Sequence, residues 1–308
     1  MYFMAYFDFR ELKYFAWLLY LIGIASLIFV LFTGKSAYGA QRWLQIGSFI
    51  TIQPSEFEKP IIIIFLGYIA SMEINDFKKF AYMTFATILP FALIFKQPDF
   101  GTAIILFIIF IFMVFFFLNI KYFMTVIISS VALIPIGLKF LKPYQVQRIL
   151  MFLNPQKDPL GSGYNVIQSI IAIGSGRLFG NGIEKSIFTK LHFVPVQYAD
   201  FIFSALGETL GFAGVLLLIA LYVGILIFII RTYGMLDNSF GKAMLIGIFA
   251  LFIAQIFINI GMCIGIMPVT GIPLPFVSFG GSATISDFII IGLAINIYVY
   301  REEINISI

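Results

Sequence analysis

The chain has 308 residues, of which 61% are hydrophobic and 11% charged, and its formal net charge is +4. This composition excludes an ordinary soluble domain, in which about 25% of residues are charged. A single cysteine, Cys263, and a single histidine, His192, exclude an intrachain disulfide, a multi-histidine metal site and a conventional serine or cysteine triad.

Long apolar runs predict an all-α polytopic membrane protein with about eight transmembrane helices. A helix of about 20 apolar residues crosses a bilayer. The predicted spans are 15–32, 57–72, 80–95, 100–120, 122–138, 209–230, 243–267 and 283–300. Pro90 and Pro135 lie inside two of the shorter runs, where proline kinks a helix.

The distribution of basic residues predicts the orientation of these spans. If the N-terminus is cytoplasmic, the inner ends and short loops carry most of the cations. These are Arg10, Lys13, Lys78, Lys79, Lys121, Arg231, Lys242 and Arg301. The outer short loops carry only Lys35, Arg42 and Lys96. By the positive-inside rule, both ends of the chain are therefore expected in the cytoplasm.

The predicted second span opens with polar residues. Ser55 and Glu58 have capping-box spacing, which predicts a structural role for Glu58. Glu56 and Lys59 are three residues apart and share a helix face, so we expect them to pair. The pair either fixes the helix start or lines a site. We favour a site, because Lys59 lies just inside the apolar run, where charges usually face a cavity or a partner.

Other carboxylates lie at or within predicted spans. Asp99 precedes the fourth span and suits an N-cap. Asp200 marks where a long basic loop re-enters the membrane, and it suits either a helix cap or a general base. The residues alone leave these two interpretations open. Glu208 and Asp287 receive no chemical role.

That loop, residues 139–199, is predicted to be extracytoplasmic and to carry short helices. It has seven basic side chains against Asp158 and Glu184. Long loops largely escape the positive-inside rule. The charge is therefore either incidental or the mark of an electropositive vestibule for an anionic substrate. Charge alone does not decide between them.

Two segments are rich in glycine or proline. The motif at 174–182, Gly-Ser-Gly-Arg-Leu-Phe-Gly-Asn-Gly, follows an apolar stretch at 164–173 that is a candidate interfacial helix. No Gly-Lys-Ser/Thr follows, which disfavours a nucleotide P-loop. Ordinary turns are favoured over a backbone cradle for a lipid pyrophosphate. The second segment, 268–282, predicts a re-entrant loop that shapes a pocket, because irregular backbone at membrane depth needs cover from protein or a water-filled cavity.

Nine short strings resemble the SEDS family, which includes RodA, FtsW and SpoVE. They are Gly-Ala-Gln-Arg-Trp-Leu (39–44), Gln-Pro-Ser-Glu (53–56), Gln-Pro-Asp-Phe-Gly-Thr (97–102), Gln-Arg-Ile (147–149), the stretch 154–164, Ile-Ala-Ile-Gly-Ser-Gly (171–176), Asp-Phe-Ile-Phe (200–203), Asn-Ile-Gly-Met (259–262) and the loop 268–282. Each is weak alone, but the ordered set is highly specific. It covers nearly the whole chain, as one SEDS membrane domain, and is most similar to the RodA elongation branch.

The resemblance implies a peptidoglycan glycosyltransferase that polymerises lipid II, the undecaprenyl-linked disaccharide-pentapeptide, during cell elongation and cell-shape maintenance. It implies a multi-pass protein of the bacterial cytoplasmic (inner) membrane with its active site on the outer face. The implied partners are a class B penicillin-binding protein and membrane proteins of the elongation complex, with no nucleic acid. The family has about ten spans, and residues 1–17 resemble the end of its second helix and the start of its third.

The resemblance also implies roles for individual residues. Asp200 matches the family's essential aspartate, implied to activate the acceptor sugar 4-hydroxyl, and Glu56 and Lys59 match the polar pair of its central cavity. The other predicted substrate-binding residues are Arg42, Gln53, Asp99, Arg148, Ser278 and Ser282. A divalent cation, Mg²⁺ or Mn²⁺, is implied as a helper of the pyrophosphate leaving group, without a dedicated ligand cluster. No organic cofactor is expected.

Two other functions are open. A flippase for lipid-linked precursors would also have intramembrane charges around a cavity, although no inverted repeat is evident and the long loop lies on one side only. A catalytically silent scaffold for a penicillin-binding protein is the other. A division paralogue similar to FtsW is less favoured than the elongation branch.

Overall fold

The computed structural model describes residues 8–37, 40–46, 50–139, 146, 150, 152–154, 163–186 and 199–301. After a short 3₁₀ turn (Phe9–Glu11), the helices are α1 (Leu12–Thr33), α2 (Pro54–Ala70), α3 (Asp76–Lys96), α4 (Phe100–Phe117), α5 (Ile120–Lys139), α6 (Tyr164–Ser175), α7 (Gly182–Lys185), α8 (Ile202–Gly234), α9 (Ser239–Cys263) and α10 (Gly281–Val299). A small antiparallel sheet, ordered β1 (Lys35–Ala37), β2 (Ala40–Ile46) and β3 (Ile50–Ile52), separates α1 from α2.

The predicted polytopic helical architecture is confirmed. Each of the eight predicted spans coincides with one long helix, α1 to α5 and α8 to α10. Within the described residues, six helical segments have the length and hydropathy to cross a membrane, and the apolar part of α5, Ile120–Pro135, is shorter. α2 has 17 residues, one fewer than the shortest of the six. The small sheet was not predicted.

α9 ends at Cys263, four residues before the predicted end of its span. Gly265 adopts φ 79°, a left-handed conformation that favours glycine. The backbone N–H groups of Ile266 and Met267 both donate to the carbonyl of Gly261, at 2.9 and 3.2 Å. This is a glycine-dependent helix C-cap. The irregular backbone that follows runs from 264 to 280, so the last two residues of the predicted Pro/Gly loop belong to α10.

The contacts of the chain divide it into two compact units. The first comprises Met1–Val126, Leu226–Ala254 and Gly281–Ile308, and the second comprises Ile127–Ile225 and Gln255–Gly280. In the first unit, α2 packs against α1, α3, α4 and α10. All but three of its 17 residues are buried. A helix buried on nearly every face lies inside protein, so its charged first turn is shielded from lipid.

In the second unit, the glycine motif docks on a break in α8. The helix leaves helical geometry at Gly211, with φ 68° and ψ −166°. The backbone N–H groups of Phe212 and Ala213 then donate to the carbonyls of Arg177 and Leu178, at 2.9 and 3.0 Å. These bonds satisfy donors that a break in a helix leaves without their usual partners.

The glycines permit this close approach between two backbones. A Cβ at Gly176 would overlap the carbonyl oxygen of Gly207, and a Cβ at Gly180 would overlap that of Thr209. The N–H of Gly180 donates to the carbonyl of Gly176 at 2.7 Å, as in a turn. The motif therefore forms turns that pack on α8. Ordinary turns were the interpretation favoured from the sequence over a backbone cradle for pyrophosphate. The preceding apolar stretch is helical, as α6.

Two glycines of this motif form a matched pair for testing the docking. Gly180 and Gly182 both have positive φ, 77° and 71°, but a Cβ at Gly182 would meet nothing within 4 Å. We expect Gly182→Ala to lower the free energy of unfolding by about 1–2 kcal/mol, the cost of left-handed backbone. Gly180→Ala should cost about 1–3 kcal/mol more, because of the overlap. Equal losses, measured by denaturation in detergent, would contradict the close packing.

Candidate functional site

The first turn of α2 holds a buried ion pair. Gln53 takes the N-cap position with extended backbone, and Pro54 occupies the first helical turn, a position where proline is favoured. Lys59 Nζ lies 2.6 Å from Glu56 Oε2, three residues back on the same face. The exposed fractions of the two residues are only 1% and 5%. The predicted pairing of Glu56 with Lys59 is confirmed.

The predicted capping box is wrong. Gln53 is the N-cap, so Ser55 is already helical, and its hydroxyl donates to Asp99 Oδ2 at 2.9 Å instead of capping α2. Glu58 is fully buried, and neither of its carboxylate oxygens has a hydrogen-bond partner among the described residues. Its carboxylate packs directly against Gly23 of α1, where a Cβ would overlap it.

Asp99 connects three elements of the first unit. It caps α4, as predicted, accepting from the N–H and the hydroxyl of Thr102 at 3.3 and 3.0 Å. Gln53 Nε2 donates to Asp99 Oδ2 at 2.8 Å, in addition to the Ser55 bond. Arg42 of β2 forms an ion pair with Asp99 Oδ1 at 3.7 Å. The structure thus brings Arg42, Gln53 and Asp99 together.

The last helix, α10, completes this group with three polar residues. Ser282 Oγ accepts from the backbone N–H of Gln53 at 3.0 Å. Ser286 Oγ donates to the carbonyl of Glu56 at 2.7 Å. Asp287 is 2% exposed, and its charge acts on Lys59 together with those of Glu56 and Asp99. We call this group the α2 polar cluster: Arg42, Gln53, Ser55, Glu56, Lys59, Asp99, Ser282, Ser286 and Asp287.

Ser286 was not predicted from the sequence as a site residue, and Asp287 had no predicted role. The sequence did contain a sign of a polar contact surface. Ser282 and Ser286 are four residues apart and share a helix face, and Asp287 follows directly. Nothing in the local sequence tells which other helix that face meets, however. The contact with α2 involves residues about 230 positions apart in the chain.

The two cations of the cluster, Lys59 and Arg42, differ in exposure to solvent and in their carboxylate partners. Lys59 is almost completely buried and lies near three carboxylates. Arg42 is more exposed, at 31% of its side chain, and its Nε has no hydrogen-bond partner within the described parts of the chain. A guanidinium has five N–H donors. Arg42 is therefore the more accessible of the two cations for an anionic ligand.

Asp200 and Ser278 belong to the second unit. Asp200 is partly buried and lies in a turn before α8. The first helical bond of α8 is accepted by the carbonyl of Phe201, from the N–H of Ala205, so Phe201 holds the N-cap position. This disfavours the helix-cap interpretation of Asp200. A Cβ on Gly271 of the Pro/Gly loop would lie 3.6 Å from Asp200 Oδ2, so the carboxylate lies beside that backbone.

Ser278 fixes backbone within its own unit. Its hydroxyl donates to the carbonyl of Ala199 at 2.6 Å and accepts from the N–H of Leu274 at 2.8 Å. Its predicted contact with substrate stays a prediction, as do those of the cluster residues. Arg148 lies outside the described residues. Glu208 is 1% exposed and, as before, receives no chemical role.

Across the ranges that the structure describes, no three His, Cys, Asp or Glu side chains gather in a way that would hold a metal ion. These residues do not fit a dedicated protein site for a divalent cation, which normally takes several oxygen ligands.

Comparison with known proteins decides the family. The family model FTSW_RODA_SPOVE, described as cell cycle protein, matches residues 1–303. The chain belongs to this family. It is 36% identical over 294 residues to the peptidoglycan glycosyltransferase MrdB of Escherichia coli K12, covering 94% of this chain and 79% of that protein. It is 38% identical over 302 residues to MrdB of Helicobacter pylori J99, covering 95% and 78%.

Solved structures agree with this assignment. A chain from a peptidoglycan synthase complex, studied for its coordination of polymerization and crosslinking, superposes with a TM-score of 0.83 at 26% identity, covering 98% of this chain and 86% of that one. The rod shape determining protein RodA of Thermus thermophilus gives 0.71 at 23% identity, covering 98% and 83%. At that identity the second likeness shows the fold alone. This FtsW/RodA/SpoVE chain is thus a multi-pass membrane protein.

Proposed function

We propose that this chain is a peptidoglycan glycosyltransferase that polymerises lipid II during cell elongation and cell-shape maintenance. Its relatives of 36–38% identity are named peptidoglycan glycosyltransferases and cover almost the whole chain. The observation that carries the proposal is the placement of Asp200, a partly buried carboxylate outside the helix that follows it and beside the Gly271 backbone.

In the proposed step, Asp200 acts as the general base. The 4-hydroxyl of the acceptor sugar attacks the anomeric carbon of the donor, and the Asp200 carboxylate accepts the hydroxyl proton. A new carbon–oxygen bond forms as the bond from the anomeric carbon to the pyrophosphate breaks. The bonding electron pair leaves with undecaprenyl pyrophosphate. A carboxylate performs this task only within hydrogen-bonding reach of the hydroxyl.

The α2 polar cluster is proposed to bind anionic parts of the substrate. Arg42 supports this role, because its side chain is 31% exposed and a guanidinium binds phosphate by parallel hydrogen bonds. Lys59 is proposed to attract the anionic substrate mainly through its charge, since it already has a carboxylate partner at 2.6 Å. Gln53, Asp99 and Ser282 hold the cluster together by the bonds described above.

The setting of the reaction is part of the same proposal. The positive-inside bias of the short loops supports a cytoplasmic (inner) membrane protein whose active site opens on the outer face. A class B penicillin-binding protein is proposed as partner, supported by the similarity to a chain from a peptidoglycan synthase complex. A divalent cation is proposed only as a companion of the substrate pyrophosphate, since Mg²⁺ commonly binds through substrate phosphates and few protein carboxylates.

Reconstitution in liposomes separates the proposed function from its two rivals. Purified chain and fluorescent lipid II should give a ladder of glycan strands resolved by electrophoresis. With the partner added, polymer should still form only when this chain is present. A flippase would instead move labelled lipid II across the bilayer without making polymer. A silent scaffold would bind the partner and do neither. Absence of polymer from the native chain under all conditions would contradict the proposal.

A further inference from the structure

Asn259 of α9 joins two segments of the second unit through its side-chain amide. Its Nδ2 donates to the carbonyl of Asp200 at 3.0 Å and to the carbonyl of Ile272 at 2.8 Å. Both partners are carbonyl oxygens, which identifies the amide nitrogen as the atom that faces them. The residue is completely buried. One NH₂ group thus links the turn that carries Asp200 to the Pro/Gly loop.

Further bonds fix the same two segments. Ser278 of the loop donates to the carbonyl of Ala199, the residue before Asp200. Tyr222 of α8 donates to the carbonyl of Pro275 at 2.7 Å, which ties the loop to the helix that follows Asp200. The loop itself contains Gly271 at φ 74° and Phe276 at φ 61°. Conformations of this kind are costly outside glycine and persist only where the surroundings enforce them.

We propose that Asn259 is a positioning residue: by holding the Asp200 carbonyl against the Pro/Gly loop, it sets the direction in which the Asp200 carboxylate points. This inference rests on the proposed function. Fixing the carbonyl fixes a peptide plane adjoining the Asp200 Cα, and hence restricts the direction of its Cα–Cβ bond. A displacement of about 1 Å at a reacting group can cost on the order of 100-fold in rate.

The chemistry of the site makes asparagine hard to replace. Two carbonyl acceptors need two N–H donors, which the asparagine amide supplies at this distance. An aspartate side chain has the same size but, when ionised, only acceptor oxygens, so Asn259→Asp should repel both carbonyls. Leucine has the same branched arrangement of four side-chain heavy atoms but no donor, so Asn259→Leu should leave two carbonyls without this partner.

Gln255 provides a matched control one helical turn earlier on the same face of α9. It is also completely buried, but neither its Nε2 nor its Oε1 has a hydrogen-bond partner among the described residues. Gln255→Leu removes a buried amide without breaking a bond, and such a change is close to neutral or stabilising. Comparing Asn259→Leu with Gln255→Leu therefore isolates the two bonds to Asp200 and Ile272 from the general effect of a leucine in this helix.

Two measurements on the native chain and these variants test the inference. The first is steady-state polymerisation of lipid II, where we expect Asn259→Leu to lower kcat on the order of 10- to 100-fold with KM nearly unchanged. The second is hydrogen–deuterium exchange of the peptides spanning 199–206 and 270–280. Both should exchange about tenfold faster or more in Asn259→Leu, because loss of the link allows local opening. Gln255→Leu should match the native chain in both measurements.

The two measurements distinguish the possible failures. Unchanged exchange in Asn259→Leu would overturn the anchoring, whatever the activity. Equal losses in Asn259→Leu and Gln255→Leu would make the effect a general one on α9 and overturn it too. A rise in KM at constant kcat would overturn the positioning role and make Asn259 a substrate contact. A native chain that makes no polymer, with exchange responding as expected, would count against the proposed function and not against the anchoring.

Discussion

Replacing Asp200 with asparagine is expected to lower lipid II polymerisation on the order of 10²- to 10⁴-fold, the usual contribution of a general base. Asparagine keeps the size of the side chain and its place in the turn, but it cannot accept the hydroxyl proton. Because the turn is held through backbone carbonyls, the substitution should leave the fold intact. Initial rates of glycan formation in liposomes, at matched protein concentration, give the measurement.

Asp237→Asn is the control for this substitution. Asp237 lies exposed between α8 and α9, so the same chemical change there should leave the rate at the native level. The thermal unfolding midpoints of the two variants and the native chain in detergent should agree within a few degrees. Polymerisation by Asp200→Asn at more than about a tenth of the native rate would show that another group takes the proton.

Replacing Lys59 with methionine is expected to destabilise the protein by about 3–5 kcal/mol, the range found when one partner of a buried ion pair is removed. Methionine has nearly the length of lysine, so little packing is lost. What remains is Glu56 at 5% exposure without its ion-pair partner, and the buried Asp99 and Asp287 lose the attraction of the Lys59 charge. Reversible unfolding in mixed micelles, with denaturant, gives the change in the free energy of unfolding.

Two comparisons make the Lys59 prediction specific. Adding Glu56→Gln to Lys59→Met removes the facing charge, so the double variant should recover part of the loss. Lys13→Met alters an exposed lysine and should change stability by no more than about 0.5 kcal/mol. If Lys59→Met is as stable as the native chain, the buried pair does not hold α2, and the account of the α2 polar cluster is wrong.

The helical spans could be predicted because their signal is local. An apolar run long enough to cross a bilayer specifies a helix without reference to the rest of the chain, and each of the eight runs is helical over most of its length. The pairing of Glu56 with Lys59 and the N-cap at Asp99 were also predictable, since each depends on spacing within one turn.

Features that join distant segments could not be predicted in the same way. Ser55 suited a capping box by spacing alone, but its hydroxyl bonds to Asp99, 44 residues away. Asp287 meets α2 only through packing of α10. The small sheet has strands of three, seven and three residues, two of them too short for a period-2 pattern to reveal. The docking of the glycine motif depends on the break in α8 at Gly211. Helix propensities do not predict the position of that break.

The most direct test of the central claim is release of undecaprenyl pyrophosphate from prebound lipid II, measured by rapid quench on the native chain and on Asp200→Asn. The account predicts that both bind lipid II with the same Kd, that the native chain releases one undecaprenyl pyrophosphate for each new glycosidic bond, and that the variant releases almost none. Release by Asp200→Asn at the native rate, or loss of binding in place of loss of turnover, would contradict a role for this carboxylate as the base.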